Sequence, residues 1–138
     1  MNNTSTLKIS QQERYLKAVE LLDSARSYTR LGGVHALVAL ADEYLTDESL
    51  LAEEKRTEGQ RIVDVLCAYI RAPFDLAFRY DELSQHKPSP HGSYRENHQE
   101  FSVHRAELLA EAKVRQRALQ EIHHRLRHFP QSDRSNYV

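Results

Sequence analysis

Cys67 is the one cysteine in a chain of 138 residues. A thiolate nucleophile needs a base beside it and a lowered pKa. Its setting, Val65-Leu66-Cys67-Ala68-Tyr69, is apolar, so Cys67 reads as a small core residue. Eight histidines raise the question of metal. His124 and His128 stand four apart, a spacing that offers two imidazoles from one helix face. No His-Glu-x-x-His completes the pattern, and Arg125 and Arg127 beside them oppose a cation. These histidines are expected in solvent, and His86, His91, His98 and His104 lack ligand spacing, so no metal or other cofactor is expected. The sequence holds no Gly-x-Ser-x-Gly elbow, phosphate loop or Gly-x-Gly-x-x-Gly turn. Carboxylate pairs such as Asp42 and Glu43 lie in polar runs without an apolar setting that would shift them. The expectation is a protein that is not an enzyme.

The remaining chemistry is charge. Nineteen Lys and Arg against twenty Asp and Glu leave a net charge of -1, so no global field draws the chain to nucleic acid or anionic lipid. Residues 113–134 depart from that balance: Lys113, Arg115, Arg117, Arg125, Arg127 and Arg134 face only Glu121 and Asp133. Arg115, Arg117, Arg125 and Arg127 form a candidate interaction surface. A basic helix can bind phosphates by releasing counterions, but no helix-turn-helix, stacking aromatics or base-reading residues accompany this one. Protein contact or self-association is therefore the leading expectation and a nucleic-acid-associated regulator the alternative. The acidic stretch from Thr46 to Glu58 supplies a complementary surface in the same chain, which makes head-to-tail contact between copies a further expectation.

These residues must be carried by helices. Apolar positions recur at three and four, no period-2 stretch argues for a sheet, and there are four glycines and four prolines. The fold expected is all-α, one compact domain over residues 10–129 with about four main helices in HEAT-like antiparallel pairs. Residues 1–9 and 130–138 are expected to be flexible ends. Ser10 with Glu13 suggests a capping box opening a helix that runs to about Ala25, with Tyr15, Leu16, Val19 and Leu22 inward. A second helix spans about Ser27 to Tyr44. Residues 46–58 read as an exposed helix extension or a linker, and a third helix opens at Thr57 or Gly59 and ends at Pro73. The state of Phe74 to Tyr80 is left open. Residues 84–100, with Pro88, Pro90 and Gly92, read as a mobile loop. A fourth helix runs from about Ser102 to Phe129, with Leu108, Ala112, Leu119, Ile122 and Leu126 on its inner face.

Gly32 and Gly33 sit where the second helix should be strongest, although each interior glycine costs about 1 kcal/mol relative to alanine. The pair is expected to let a neighbouring helix approach closely. Arg30 beside it is expected to be buried against Glu20 or Asp64. Leu37, Leu66, Tyr69 and Ile122 are the expected core.

Three blocks carry a family resemblance: Arg30-Leu31-Gly32-Gly33-Val34-His35-Ala36-Leu37; Ile62-Val63-Asp64-Val65-Leu66-Cys67-Ala68-Tyr69-Ile70-Arg71; and Glu111-Ala112-Lys113-Val114-Arg115-Gln116 with Ile122-His123-His124-Arg125-Leu126-Arg127. On these blocks the chain resembles the helical region that precedes the repeats in actinobacterial pentapeptide-repeat-containing proteins. The resemblance implies a helical accessory region. It does not carry over the activity of the solenoid, whose repeats are not among these residues. With one cysteine and no apolar run of spanning length, a cytoplasmic location without membrane insertion is expected.

Overall fold

The computed structural model describes residues 3–126, with side chains from residue 10 onward. Five α-helices and no strand are found among the described residues: α1 Asn3–Leu22, α2 Ser27–Thr46, α3 Ala52–Arg71, α4 Tyr80–Leu83 and α5 His98–Leu126, with a 3-10 turn at Asp75–Arg79 before α4. The class is all-α. None of these helices is long and apolar enough to cross a membrane.

Helix α2 is the axle. Val34, Leu37, Val38, Leu40, Ala41 and Tyr44 are all buried, and residues on this many sides can be buried only if neighbours surround the helix. Helices α1, α3 and α5 each pack against it. Gly33 faces Ala18 and Leu22 while Arg14 meets Glu43 at 2.8 Å, so α1 runs antiparallel to α2. Arg30 meets Glu111 and Asp42 meets Arg125, so α5 runs parallel to α2. Helix α3 runs antiparallel to both, with Lys55 on the Leu45 carbonyl and Tyr69 meeting Glu111 beside Arg30, so residues 72–97 turn the chain back at that end.

Several sequence expectations are corrected here. Helix α1 begins at Asn3, not Ser10, so the Ser10 and Glu13 signature lies inside a helix. Leu16 is 61% exposed and Ala18 is the buried residue instead, because the contact with Gly33 turns that side of α1 inward. Helix α3 begins at Ala52. Glu53 and Glu54 fall in its first turn, where carboxylates complement the helix dipole, and Glu54 also accepts from the Leu51 amide at 3.3 Å. The acidic stretch is thus a turn followed by an exposed helix start, the helical one of the two readings offered and not the linker.

Residues 84–97 form turns fastened at both sides. Tyr94 is buried with Leu83, Phe101 and Leu108 in a second small core that Phe74 and Leu76 flank. Its ring meets Phe101 edge-on at 5.6 Å, and its hydroxyl bonds Arg79 at 3.0 Å and His104 Nδ1 at 2.8 Å. Glu82 accepts from the Ser93 amide and hydroxyl. This core covers the part of α5 that overhangs the start of α2. The inner face of α5 is Phe101, Leu108, Glu111, Val114, Ala118 and Ile122. Ala112, Leu119 and Leu126, expected inside, are exposed. The residues from 127 on, including Arg127, His128 and the expected tail, lie outside the described residues.

Candidate interaction surface

The most concentrated polar chemistry is buried. Glu111, 3% exposed, sits at the centre of the α5 inner face and receives three partners from three helices. Arg30 of α2 reaches one carboxylate oxygen through Nε at 2.8 Å and through a second nitrogen at 2.7 Å. The Tyr69 hydroxyl of α3 donates to the other oxygen at 2.5 Å, and Arg115, one turn along α5, donates to it at 2.9 Å. The cations are anchored in turn. Arg30 donates to the Ser24 carbonyl at 2.8 Å, and Arg115 donates to the carbonyls of Ile70 at 2.8 Å and Ala72 at 2.9 Å. Arg115 also lies 5.7 Å from the ring centroids of both Tyr69 and Phe74, within cation–π range.

A buried carboxylate is tolerable only when paired and hydrogen-bonded, and Glu111 is both. Burial, with the hydrogen bond to Glu111 next, pushes the Tyr69 hydroxyl up to about 12. Both Glu111 oxygens are taken by Arg30, Tyr69 and Arg115. The cluster is a latch across α2, α3 and α5. Arg30 is therefore paired as expected in kind, but with Glu111. Glu20 and Asp64 are engaged locally, with Lys17 and Gln60.

A second tie joins the far end of α5 to α2. Arg125 is bidentate to Asp42, at 2.7 and 2.9 Å, and also bonds Glu121. Those hydrogen bonds, Asp42 first, raise the Arg125 guanidinium above its ordinary value despite partial burial. On α1, the bond from Arg14 holds the Glu43 carboxyl below the usual carboxylate range.

The candidate surface of four arginines therefore does not survive as a unit. Arg115 and Arg125 face inward and hold the fold together. Arg117 is exposed, with Glu121 at 3.7 Å, and Arg127 lies outside the described residues. Leu37, Leu66 and Ile122 are buried in the main core, while Tyr69 is half-buried with its hydroxyl on Glu111. Cys67 is half-buried and packs against the same core. Among the described residues no cluster of His, Cys, Asp and Glu could hold a metal ion.

The glycine pair divides. A Cβ on Gly33 would stand 2.9 Å from the Ala18 carbonyl oxygen and 3.0 Å from the Leu22 nitrogen, so Gly33 permits the α1 contact. A Cβ on Gly32 would meet nothing within 4 Å, which overturns the expectation of close approach at that position.

Sequence reading missed a groove of about 370 Å³ between the start of α2 and the middle of α5. Leu31, Ala110 and Val114 lie along it, Tyr28 stands beside them 65% exposed, and Lys113 and Arg117 line its edge. Arg26 joins this end of the molecule by donating to the Tyr28 hydroxyl at 2.7 Å. Of these cations only Arg117 has a carboxylate within 4 Å among the described residues. The groove offers apolar area inside a cationic margin, suited to an apolar side chain flanked by carboxylates. Its signal in the sequence was the basic run, but the responsible members are Lys113 and Arg117, with Arg26 from another helix.

The class defined by this architecture is an all-helical protein built on a central helix, latched by a buried carboxylate and carrying an apolar groove with a basic margin. Comparison with protein-family models, with curated proteins and with solved structures gives no match to the chain.

Proposed function

We propose that this chain is a non-enzymatic helical interaction module in which the α2–α5 groove receives an acidic, apolar segment of a protein. The observation that carries the reading is the combination of the exposed Tyr28 ring with Leu31 and Val114 inside a margin of Lys113 and Arg117. Exposed aromatics beside apolar area are what binding surfaces use for anchoring, and a margin of one sign selects partners of the other. The most strongly built polar cluster, around Glu111, has its oxygens occupied by interhelical partners, which supports a structural use for it.

The relation to the helical region of pentapeptide-repeat proteins is part of this proposal and rests on the three sequence blocks. So does a cytoplasmic location, which rests on the single cysteine. The nucleic-acid alternative loses Arg115 and Arg125 to Glu111 and Asp42, leaving a smaller phosphate-binding surface than the sequence promised.

The test is fluorescence anisotropy with two probes, a leucine- and glutamate-rich helical peptide and a duplex DNA of similar length. The peptide should bind and lose affinity by about tenfold in Lys113→Glu/Arg117→Glu, since 1.4 kcal/mol corresponds to that factor. Binding of the DNA alone, with a steep salt dependence, would replace the protein-interaction reading with its rival.

A further inference from the structure

We infer that the partner segment is supplied by a second copy of this chain, which docks the turn between α2 and α3 into the α2–α5 groove of its neighbour. The inference rests on the interaction-module reading and names its occupant.

The charge distribution carries it. At the start of α2, Arg26, Lys113 and Arg117 surround Tyr28, Leu31 and Val114. At the other end of α2, Leu51 is 70% exposed and is flanked by Glu48, Glu53 and Glu54, for which no Lys or Arg partner is found within 4 Å among the described residues. An apolar side chain among carboxylates at one end thus matches an apolar groove among cations at the other. Among the described residues Arg26 and Lys113 have no carboxylate within 4 Å and Arg117 has Glu121 at 3.7 Å, so both ends keep most of their charge for a partner.

Geometry excludes docking within one molecule. The groove lies at the first residues of α2 and the acidic turn follows its last, so about 30 Å separates them along a 20-residue helix. Each copy can meet another through one groove and one turn, head to tail, or through both at once with the two copies antiparallel. A single contact is heterologous and leaves a groove open at one end and an acidic turn open at the other, whereas the reciprocal pair closes on itself. Assembly should therefore grow with concentration and weaken with salt, which screens exposed charges beyond about 8 Å at physiological strength.

The experiment uses two charge-reversed forms of the whole chain, each checked for an unchanged circular dichroism spectrum and melting temperature. Lys113→Glu/Arg117→Glu closes the groove and leaves the acidic turn. Glu48→Lys/Glu53→Lys closes the turn and leaves the groove, and it spares Glu54, which caps α3. Sedimentation velocity on the natural sequence in low salt should show species larger than a monomer that revert toward monomer in high salt. Each variant alone should stay monomeric. Their mixture should associate in equal proportion, because the natural turn of one variant meets the natural groove of the other and the reversed turn meets the reversed groove.

A natural sequence that is monomeric up to millimolar concentration in low salt overturns the inference, and so does a mixture that does not associate. Assembly that ignores salt, or that persists in either variant alone, also overturns it by pointing to a symmetric apolar contact. If the chain stays monomeric while the acidic peptide still binds, the occupant is a different protein and the module reading stands. If the peptide fails as well, both fall.

Discussion

Replacing each of the adjacent glycines of α2 with alanine should move stability in opposite directions. Alanine at Gly33 places a methyl 2.9 Å from the Ala18 oxygen, 3.0 Å from the Leu22 nitrogen and 3.1 Å from Leu21 Cβ. Two of those atoms are main chain, so no side-chain rotation relieves the overlap and α1 must move off α2. Overpacking of this kind costs about 1–3 kcal/mol. Against it stands the helix propensity of alanine, about 1 kcal/mol better than glycine, which leaves a net loss of up to about 2 kcal/mol. At Gly32 the methyl enters open space, so only the propensity gain remains, about 0.5–1 kcal/mol of stabilisation. Unfolding entropy of about 2 cal/mol/K per residue converts each kcal/mol to roughly 3–4 °C for a chain of this length. Gly33→Ala should melt lower, by up to about 7 °C, and Gly32→Ala higher by about 2–3 °C. Thermal and urea melts followed by circular dichroism read both, with the urea slope unchanged if the unfolded state is unaffected. Shifts of the same sign in the two variants would refute the assignment of the close contact to Gly33 alone.

Glu111→Gln keeps the shape of the latch but leaves Arg30 and Arg115 without their carboxylate, and urea unfolding should show a loss of about 2–4 kcal/mol, toward the cost of breaking a buried pair; a change below about 0.5 kcal/mol would mean that the latch contributes nothing net. Tyr69 ionises near 10 when unfolded and about 12 when folded, so the folded form holds its proton longer. That contribution is complete below pH 10 and is lost as pH rises from 10 toward 12. Urea midpoints compared on either side of that window should fall in the natural sequence and fall less in Tyr69→Phe. Tyr94→Phe removes the bonds to Arg79 and His104 and should cost about 1 kcal/mol, with faster amide exchange confined to residues 84–97 and the start of α5; uniform acceleration across α2 would contradict a separate second core.

The all-helical class was legible because spacing at three and four survives local exceptions, and the buried Leu37, Leu66 and Ile122 lie in the stripes it defines. The misreadings have definite causes. Glu111 is a charged residue at the centre of the inner face of α5, and a reading that turns charges outward rotates that helix until Ala112 and Leu119 point inward. Successive helical residues differ by about 100° in direction, so Gly32 and Gly33 cannot both face α1. The acidic run leaves a helix extension and a linker both open and puts the helix start at Thr57 or Gly59, yet Glu53 and Glu54 are what the first turn of a helix favours and α3 starts at Ala52. Residues 84–97 carry the prolines of a loop, and nothing local reveals that Tyr94 will be buried under Phe101. Arg115, Arg117 and Arg125 look alike in sequence. Only partners on other segments, the Ile70 and Ala72 carbonyls for Arg115 and Asp42 for Arg125, separate the inward arginines from Arg117, so the groove became visible only when Tyr28 and Lys113 came together.

The most direct measurement is a heteronuclear NMR titration of the labelled chain with the acidic helical peptide. The account predicts shifts concentrated at Tyr28, Leu31, Lys113, Val114 and Arg117 and abolished in Lys113→Glu/Arg117→Glu, while Glu111 and its partners stay unmoved. Shifts centred on any other face, or no shifts at saturating peptide, would contradict it.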